Sequence, residues 1–318
     1  MFLPNKIERK SHIPYNIIYF LKHSIMKRRI ITLILALAVC GGASAQQKQS
    51  GASAPGRHNT VTRRKVIDTA NLRILYAWNA TDITQDSTYL DCGQLLIGKR
   101  CDKYCSWFVE QTDNERVKWA KANPHAGSVP NGTWWMRGRK PDIWSEYQYT
   151  DLFFRRDTLN EWAGMPLGQE WPLRYTEKMT PIQWALHNES KTILGHKCQR
   201  ATCRWRGRNY EAWFAPDIPI RRGPWKFGGL PGLILKIYDT AHLYTFEAVA
   251  IEKGTFPIYQ YPADEFKKST RLHTWKLQVA YNRNYLRVSG RRKYDPNAPG
   301  GMGEPLSAPH DYEPMELE

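Results

Sequence analysis

The segment Gly229-Leu230-Pro231-Gly232-Leu233-Ile234, running on into Leu235-Lys236-Ile237-Tyr238, decides how this chain is read. Pro231 presets φ for the second position of a turn, and Gly232 supplies the positive φ that a type II turn needs next. Beyond the turn, Leu233, Leu235 and Ile237 fall on one face of an extended strand, with Ile234, Lys236 and Tyr238 on the other. Gly228 and Gly229 permit close backbone approach beneath Trp225 or Trp213. A Gly-rich stretch can also cradle phosphate, but the Lys-Ser/Thr and helix of a P-loop do not follow here. The reading is a structural turn that feeds a core strand.

Further strands lie on both sides. Upstream, Cys198 to Trp205 and Tyr210 to Phe214 flank the turn Arg206-Gly207-Arg208-Asn209, and Ile193-Leu194-Gly195 closes an earlier run. Leu72, Ile74, Tyr76 and Trp78 alternate with other residues, while Tyr89 to Ile97 and Tyr104 to Val109 form another strand pair. Downstream, Asp239 to His242 is a hairpin connection, and Leu243 to Ile251 and Leu277 to Val288 read as β-rich runs. Glu110 to Ala122 lacks Gly and Pro and stops at Asn123-Pro124, which predicts a helix. The fold class is mainly β: a curved antiparallel sheet or half-barrel with one or two helices, similar by analogy to lipoprotein-carrier sheets.

Residues 1–45 read as an upstream extension plus a signal peptide. Lys27-Arg28-Arg29 is a basic n-region, Ile30 to Val39 is an apolar run of ten residues, and Ala43-Ser44-Ala45 fits the small-x-small cleavage rule. Met26 is then the true start. The rival is lipidation at Cys40, against which Val39 speaks, since a small residue is expected there. Residues 46–65 read as a flexible leader, and 66–318 as one β domain with an extended C-terminal tail around Tyr312-Glu313-Pro314-Met315-Glu316-Leu317. No other apolar stretch reaches membrane length. The 318 residues carry a net charge of +16, about +10 of it outside residues 1–45. That suits either a basic surface or anionic partners. Trp134 and Trp135 beside Arg137 and Arg139 suit aromatic packing or a glycan surface.

Of six cysteines, five follow the export segment. In an oxidising compartment Cys101, Cys105, Cys198 and Cys203 are disulfide candidates, with Cys92 making the number odd; spacing leaves the pairing open. His196, Cys198 and Cys203 could join Cys101 and Cys105 around a metal, but the CxxC spacing of common zinc sites is missing, so no metal is expected.

The hexapeptide Gly229 to Ile234 resembles that of the GLPGLI family, exported proteins of the Bacteroidota. The likeness extends through Ile193 to Ala201, Arg206 to Arg208, Ala212 to Phe214, Asp217 to Ile220 and Gly223 to Gly228, in the family's order, and to Tyr312 to Leu317. It implies an envelope address and a β architecture, without a chemistry, since no molecular function is established for that family.

No HExxH, GxSxG or P-loop Lys is present, and His187, His196, His242 and His273 are scattered. Cys198 or Cys203 near His196 could form a thiolate pair, but nothing nearby completes an oxyanion site. Arg206 and Arg208 on one turn can grip an anion bidentately, or pair with Asp217 or Glu211. With Trp213, Trp225 and Lys226 they form the candidate anion- or partner-binding set. The expected function is non-enzymatic binding of an envelope protein or an amphiphilic ligand, in the periplasm, at the outer membrane or after secretion. No cofactor and no nucleic acid is expected. The alternatives are a secreted hydrolase with a distributed site and a glycan binder using surface Trp.

Overall fold

The structure, a computed structural model, describes residues 61–126, 144–166 and 171–318. Residues 1–60, which include the expected signal peptide and most of the expected leader, and Trp134, Trp135, Arg137 and Arg139 lie outside the described residues. Val61 is fully buried, so the chain packs from before Val66, where the leader was expected to end.

Strands that are neighbours in sequence pair side by side, and the result is two antiparallel meanders. The first comprises β1 (Lys65–Trp78), β2 (Asp91–Gly98), β3 (Asp102–Ser106), β4 (Thr150–Arg155), β5 (Thr158–Ala163) and β6 (Leu173–Lys178). The second comprises β7 (Ala185–Ile193), β8 (His196–Trp205), β9 (Arg208–Ala215), β10 (Leu233–Asp239) and β11 (Thr245–Gln260). The two longest strands, β1 and β11, pair from Lys65↔Gln260 to Trp78↔Phe246 and fuse the meanders. β12 (Lys267–Lys268) adds to the β6 edge in parallel. Among the described residues this gives a twelve-stranded sheet in the order β12-β6-β5-β4-β3-β2-β1-β11-β10-β9-β8-β7, curved and unclosed. Register shifts along the β1–β11 ladder between Val66 and Asp68, Ala70 and Leu72, and Leu75 and Tyr76 bend it.

Alternation gives each strand two faces. Ile74, Tyr76 and Trp78 point with Leu95, Tyr104 and Leu152 into the main core, shared with Leu233 to Leu235 and Met315. On the opposite, outer face, Leu75, Ala77 and Cys92 meet Phe108. Phe108 belongs to helix α1 (Trp107–Ala122), whose first turn is capped by the Ser106 side chain accepting from the Val109 amide. The strand reading of Tyr104 to Val109 therefore ends at Ser106.

Leu277 to Val288 is not a strand: it is the larger part of helix α2 (Arg271–Val288). Thr270 caps it, and the buried positions Thr274, Gln278, Tyr281 and Asn282 recur at helical spacing. The polar members of that set hid the period, leaving the apolar Leu277, Val279 and Tyr281 to suggest alternation. α2 packs beside β6, and its Tyr281 meets Trp144.

The turn chemistry of Gly229 to Ile234 also differs from the sequence reading. Gly229, not Gly232, holds the positive φ of 92°. Gly232 is needed because a Cβ there would lie 2.3 Å from the Ala215 carbonyl oxygen. The indole over Gly229 is Trp184, which donates to the Gly228 carbonyl at 2.9 Å. A bulge between Ile234 and Lys236 breaks the expected alternation, so Leu233, Ile234 and Leu235 are all fully buried.

The five cysteines from Cys92 onward are buried free thiols. Geometry explains why Cys101, Cys105, Cys198 and Cys203 do not pair. Cys101 and Cys105 are separated by ~13 Å of extended chain, and Cys198 and Cys203 by ~16 Å along β8. A disulfide requires Cα atoms about 5.5 Å apart. β3 and β8 are six strand steps apart in the sheet.

Candidate functional site: a groove closed by the C-terminal segment

Arg206 stands at the tip of the β8–β9 hairpin. Arg206 and Gly207 have φ of 46° and 81°, the handedness a two-residue hairpin of twisted strands demands. Gly207 is required twice, since a Cβ there would lie 2.7 Å from the Leu317 Cβ. Trp225 and Lys226 come from the loop before β10. That loop is tied back by the motif: the Ile234 amide donates to the Arg222 carbonyl, and Arg221 donates to the Gly229 carbonyl. Trp225 adopts a left-handed φ of 50°, an uncommon conformation for a bulky residue. Gly229 to Ile234 is thus the brace that presents Trp225 and Lys226.

What these residues grip is the chain's own C-terminal segment, Tyr312 to Glu318. Four successive carbonyls each receive a side-chain donor. Tyr244 donates to Glu313 O at 2.5 Å, Arg208 to Pro314 O at 2.6 Å, Tyr210 to Met315 O at 2.8 Å and Trp275 to Glu316 O at 3.0 Å. The Met315 amide donates to the Tyr147 hydroxyl at 2.8 Å, and the Leu317 amide to the Arg206 carbonyl at 3.0 Å. Met315 itself is fully buried in the main core.

The Glu316 carboxylate sits at the centre of three cations. Lys226 Nζ is 2.7 Å away, Arg271 Nη1 is 3.0 Å away, and Arg206 bonds it as well. Two further carboxylates balance the set. Glu161 meets Lys226 at 2.8 Å, and Glu177 meets Arg206 at 3.0 Å. Tyr175 joins by donating to Glu161 at 2.5 Å. Burial pushes Glu316 upward, but Lys226 and Arg206 outweigh it and hold the carboxyl below its ordinary 4.5. Burial likewise works against charge on Lys226, and Glu161 and Glu316 reverse it, raising the ammonium above its ordinary 10.5. Burial, then Glu161 and Glu316, push the Tyr175 phenol well above 10.0. At neutral pH this holds Glu316 as a carboxylate, Lys226 as an ammonium and Tyr175 as a neutral phenol.

Of the five residues singled out from sequence, Arg206, Arg208, Trp225 and Lys226 converge here and Trp213 does not. Arg206 and Arg208 use neither Asp217 nor Glu211; Arg208 instead reaches Glu313 at 2.8 Å and Asp239 at 3.6 Å. Trp213 alternates with Tyr210 on β9 and faces the other side, bonded to Glu211 and overlaid by Lys191. Tyr147, Glu161, Tyr175, Glu177, Tyr244, Arg271 and Trp275 had no local signal in sequence, because they reach the site from distant elements.

The other candidates do not form chemistry. His196 pairs with Asp217 at 2.6 Å on the surface. Burial pushes the Cys198 thiol up to about 11 and Cys203 up to about 12, the reverse of what a thiolate needs. Among the described residues no cluster of His, Cys, Asp and Glu could hold a metal ion. Of the described tryptophans only Trp171 is broadly exposed.

Residues 205–236, which carry Arg206, Arg208, Trp225, Lys226 and the motif, match a family model described as a protein of unknown function (Porph_ging). No curated protein matches this chain. Two solved structures of PNGF-II, in space groups P21 and C2, are similar to it with TM-scores of 0.43 and 0.42 and identities of 13% and 12%. In each case the match covers 68% of this chain and 34% of the other, so the chain spans about a third of their length.

Proposed function

We propose that this is an exported cell-envelope protein that acts by binding, and that its binding site is the groove filled by Tyr312 to Glu318. The supporting observation is the run of side-chain donors to the carbonyls of Glu313 to Glu316, combined with a three-cation seat for one carboxylate. Backbone-directed donors recognise an extended peptide whatever its sequence, and the cation seat selects an acidic side chain. The partner class is an extended segment of an envelope protein with an apolar residue followed by Glu or Asp. Export rests on Lys27-Arg28-Arg29, Ile30 to Val39 and Ala43-Ser44-Ala45. Among the described residues no helix is long and apolar enough to cross a membrane.

The hydrolase alternative has one point in its favour, since Glu161, Tyr175 and Lys226 share a cavity. The shifts speak against it: Lys226 and Tyr175 are moved away from neutrality, whereas an acid–base catalyst is poised near it.

A fluorescein-labelled Tyr312–Glu318 peptide tests the binding reading. It should bind the full chain weakly, because the groove is filled. It should bind the Glu316→Gln chain saturably, because that chain's own tail is loosened. A peptide with Gln at the same position should bind neither. A Glu316→Gln chain that keeps its fold and binds no peptide would contradict the proposal.

A further inference from the structure

On the outer face of β4, β5, β6 and β12 lies a second cavity of about 320 Å³, lined by Phe153, Arg155, Asn160, Trp162, Arg174 and Lys268 among others. Register places it on the side of these strands opposite the tail groove. Trp162 faces Arg174, Asn160 faces Thr176, and Lys268 lies beside Arg174, whereas Glu161 and Tyr175 point to the inner face. Thr176, Gln260 and Ser269 add to the polar part of the wall, and Tyr175 borders the cavity as well.

The charge around this cavity is of one sign. Its lining contains three cations and no carboxylate. Several other cations of the sheet are matched to acids. Lys103 has Glu110 and Asp151, Arg73 has Glu252, Arg200 has Glu189 and Glu211, and Arg222 has Asp102. Among the described residues, Arg155, Arg174 and Lys268 have no acidic partner. Arg174 lies over the Trp162 ring and bonds only the Phe266 carbonyl; Arg155 and Lys268 are exposed. Placing three unneutralised cations around one concavity costs self-repulsion that an anion removes.

We infer that this cavity binds a short acidic oligosaccharide, a sugar chain bearing carboxylate groups. Arg155 and Lys268 stand on strands three steps apart, ~14 Å across the sheet, too far for one small anion to bridge. Between them Asn160, Thr176, Ser269 and Gln260 offer the paired donors and acceptors that sugar hydroxyls need. The Thr176 hydroxyl already donates to Asn160 Oδ1 at 2.7 Å, which turns the Asn160 amide nitrogen toward the ligand. Phe153 and Trp162 form an apolar floor for a ring face. The volume is at the low end for small-molecule sites, about that of one or two sugar units.

The test is calorimetric titration of the full chain with digalacturonate, with neutral galactobiose, sodium sulfate and phosphatidylglycerol vesicles as comparators. Digalacturonate should bind saturably and more weakly as salt rises. The Arg155→Ala/Lys268→Ala double variant should bind at least about tenfold more weakly. Both positions are exposed, so its melting temperature should match the parent. Asn160→Ala should weaken digalacturonate and leave any sulfate binding unchanged. The inference is overturned by no saturable digalacturonate binding, by equal binding of galactobiose or sulfate, by binding to vesicles alone, or by an unaffected double variant.

Discussion

Two of the buried ion clusters among the described residues, those of Lys103 and Glu316, are sealed in different ways. On the outer face Lys103 meets Glu110 at 3.1 Å and Asp151 at 3.0 Å. Its lid is α1, which follows β3 without a break and carries Glu110 itself. On the inner face Lys226, Arg206 and Arg271 meet Glu316, and the lid is a C-terminal segment that enters from far along the chain. Removing one partner of a buried pair strands a charge in low dielectric. In the first cluster the sheet and its covering helix must yield together. In the second, only the segment has to leave for water to enter. The same chemistry is therefore a fixture of the fold in one place and a latch in the other.

The largest effect should come from breaking the fixture. Lys103→Met leaves Glu110 and Asp151 buried without their cation, and should cost about 3–5 kcal/mol in urea unfolding. Breaking the latch should cost less and act locally. Glu316→Gln should cost about 2–3 kcal/mol, with faster amide exchange confined to the C-terminal segment. A global loss as large as that of Lys103→Met would erase the distinction.

Gly207→Ala should cost about 1–2 kcal/mol, since it combines a left-handed φ with contact against Leu317. Its melting temperature should fall together with tail protection, which circular dichroism and exchange can follow in parallel. The smallest effect at neutral pH is that of acid. A carboxylate whose folded pKa is lowered stabilises fully above its unfolded value, and that contribution is lost as pH falls through the folded one. Glu316 lies below its ordinary 4.5, so tail docking should be constant above that value and weaken below it. Fluorescence of Trp225 and Trp275 across an acid titration reads this, and undocking near neutral pH would contradict it.

The sheet was legible because its strands carry period-two patterns and its turns carry Gly at the tips, as at Leu194-Gly195 and Arg206-Gly207. α2 was not legible, because it buries Thr274, Gln278 and Asn282 rather than an apolar stripe. Gly229 to Ile234 stood out in sequence, but not the mechanism of its glycines, since the carbonyl of Ala215 approaches Gly232 from another strand. At the site, Arg206, Arg208, Trp225 and Lys226 stood out because they lie close together in sequence. Their acids did not: Glu161, Glu177 and Glu316 arrive from β5, β6 and the C-terminus, and only the sheet brings them together. Trp213 shared the local density but falls on the wrong face by strand alternation.

The measurement that bears most directly on the latch is native-state amide exchange of Met315 and Leu317, compared with Leu75 and Ala77 on β1, in the parent and in Glu316→Gln. Met315 and Leu317 should exchange through a local opening well below the free energy of global unfolding, with Glu316→Gln lowering that opening energy further while β1 is unchanged. Exchange of Met315 and Leu317 at the same free energy as β1 would contradict it, and would make the C-terminal segment one more fixed strand of the core.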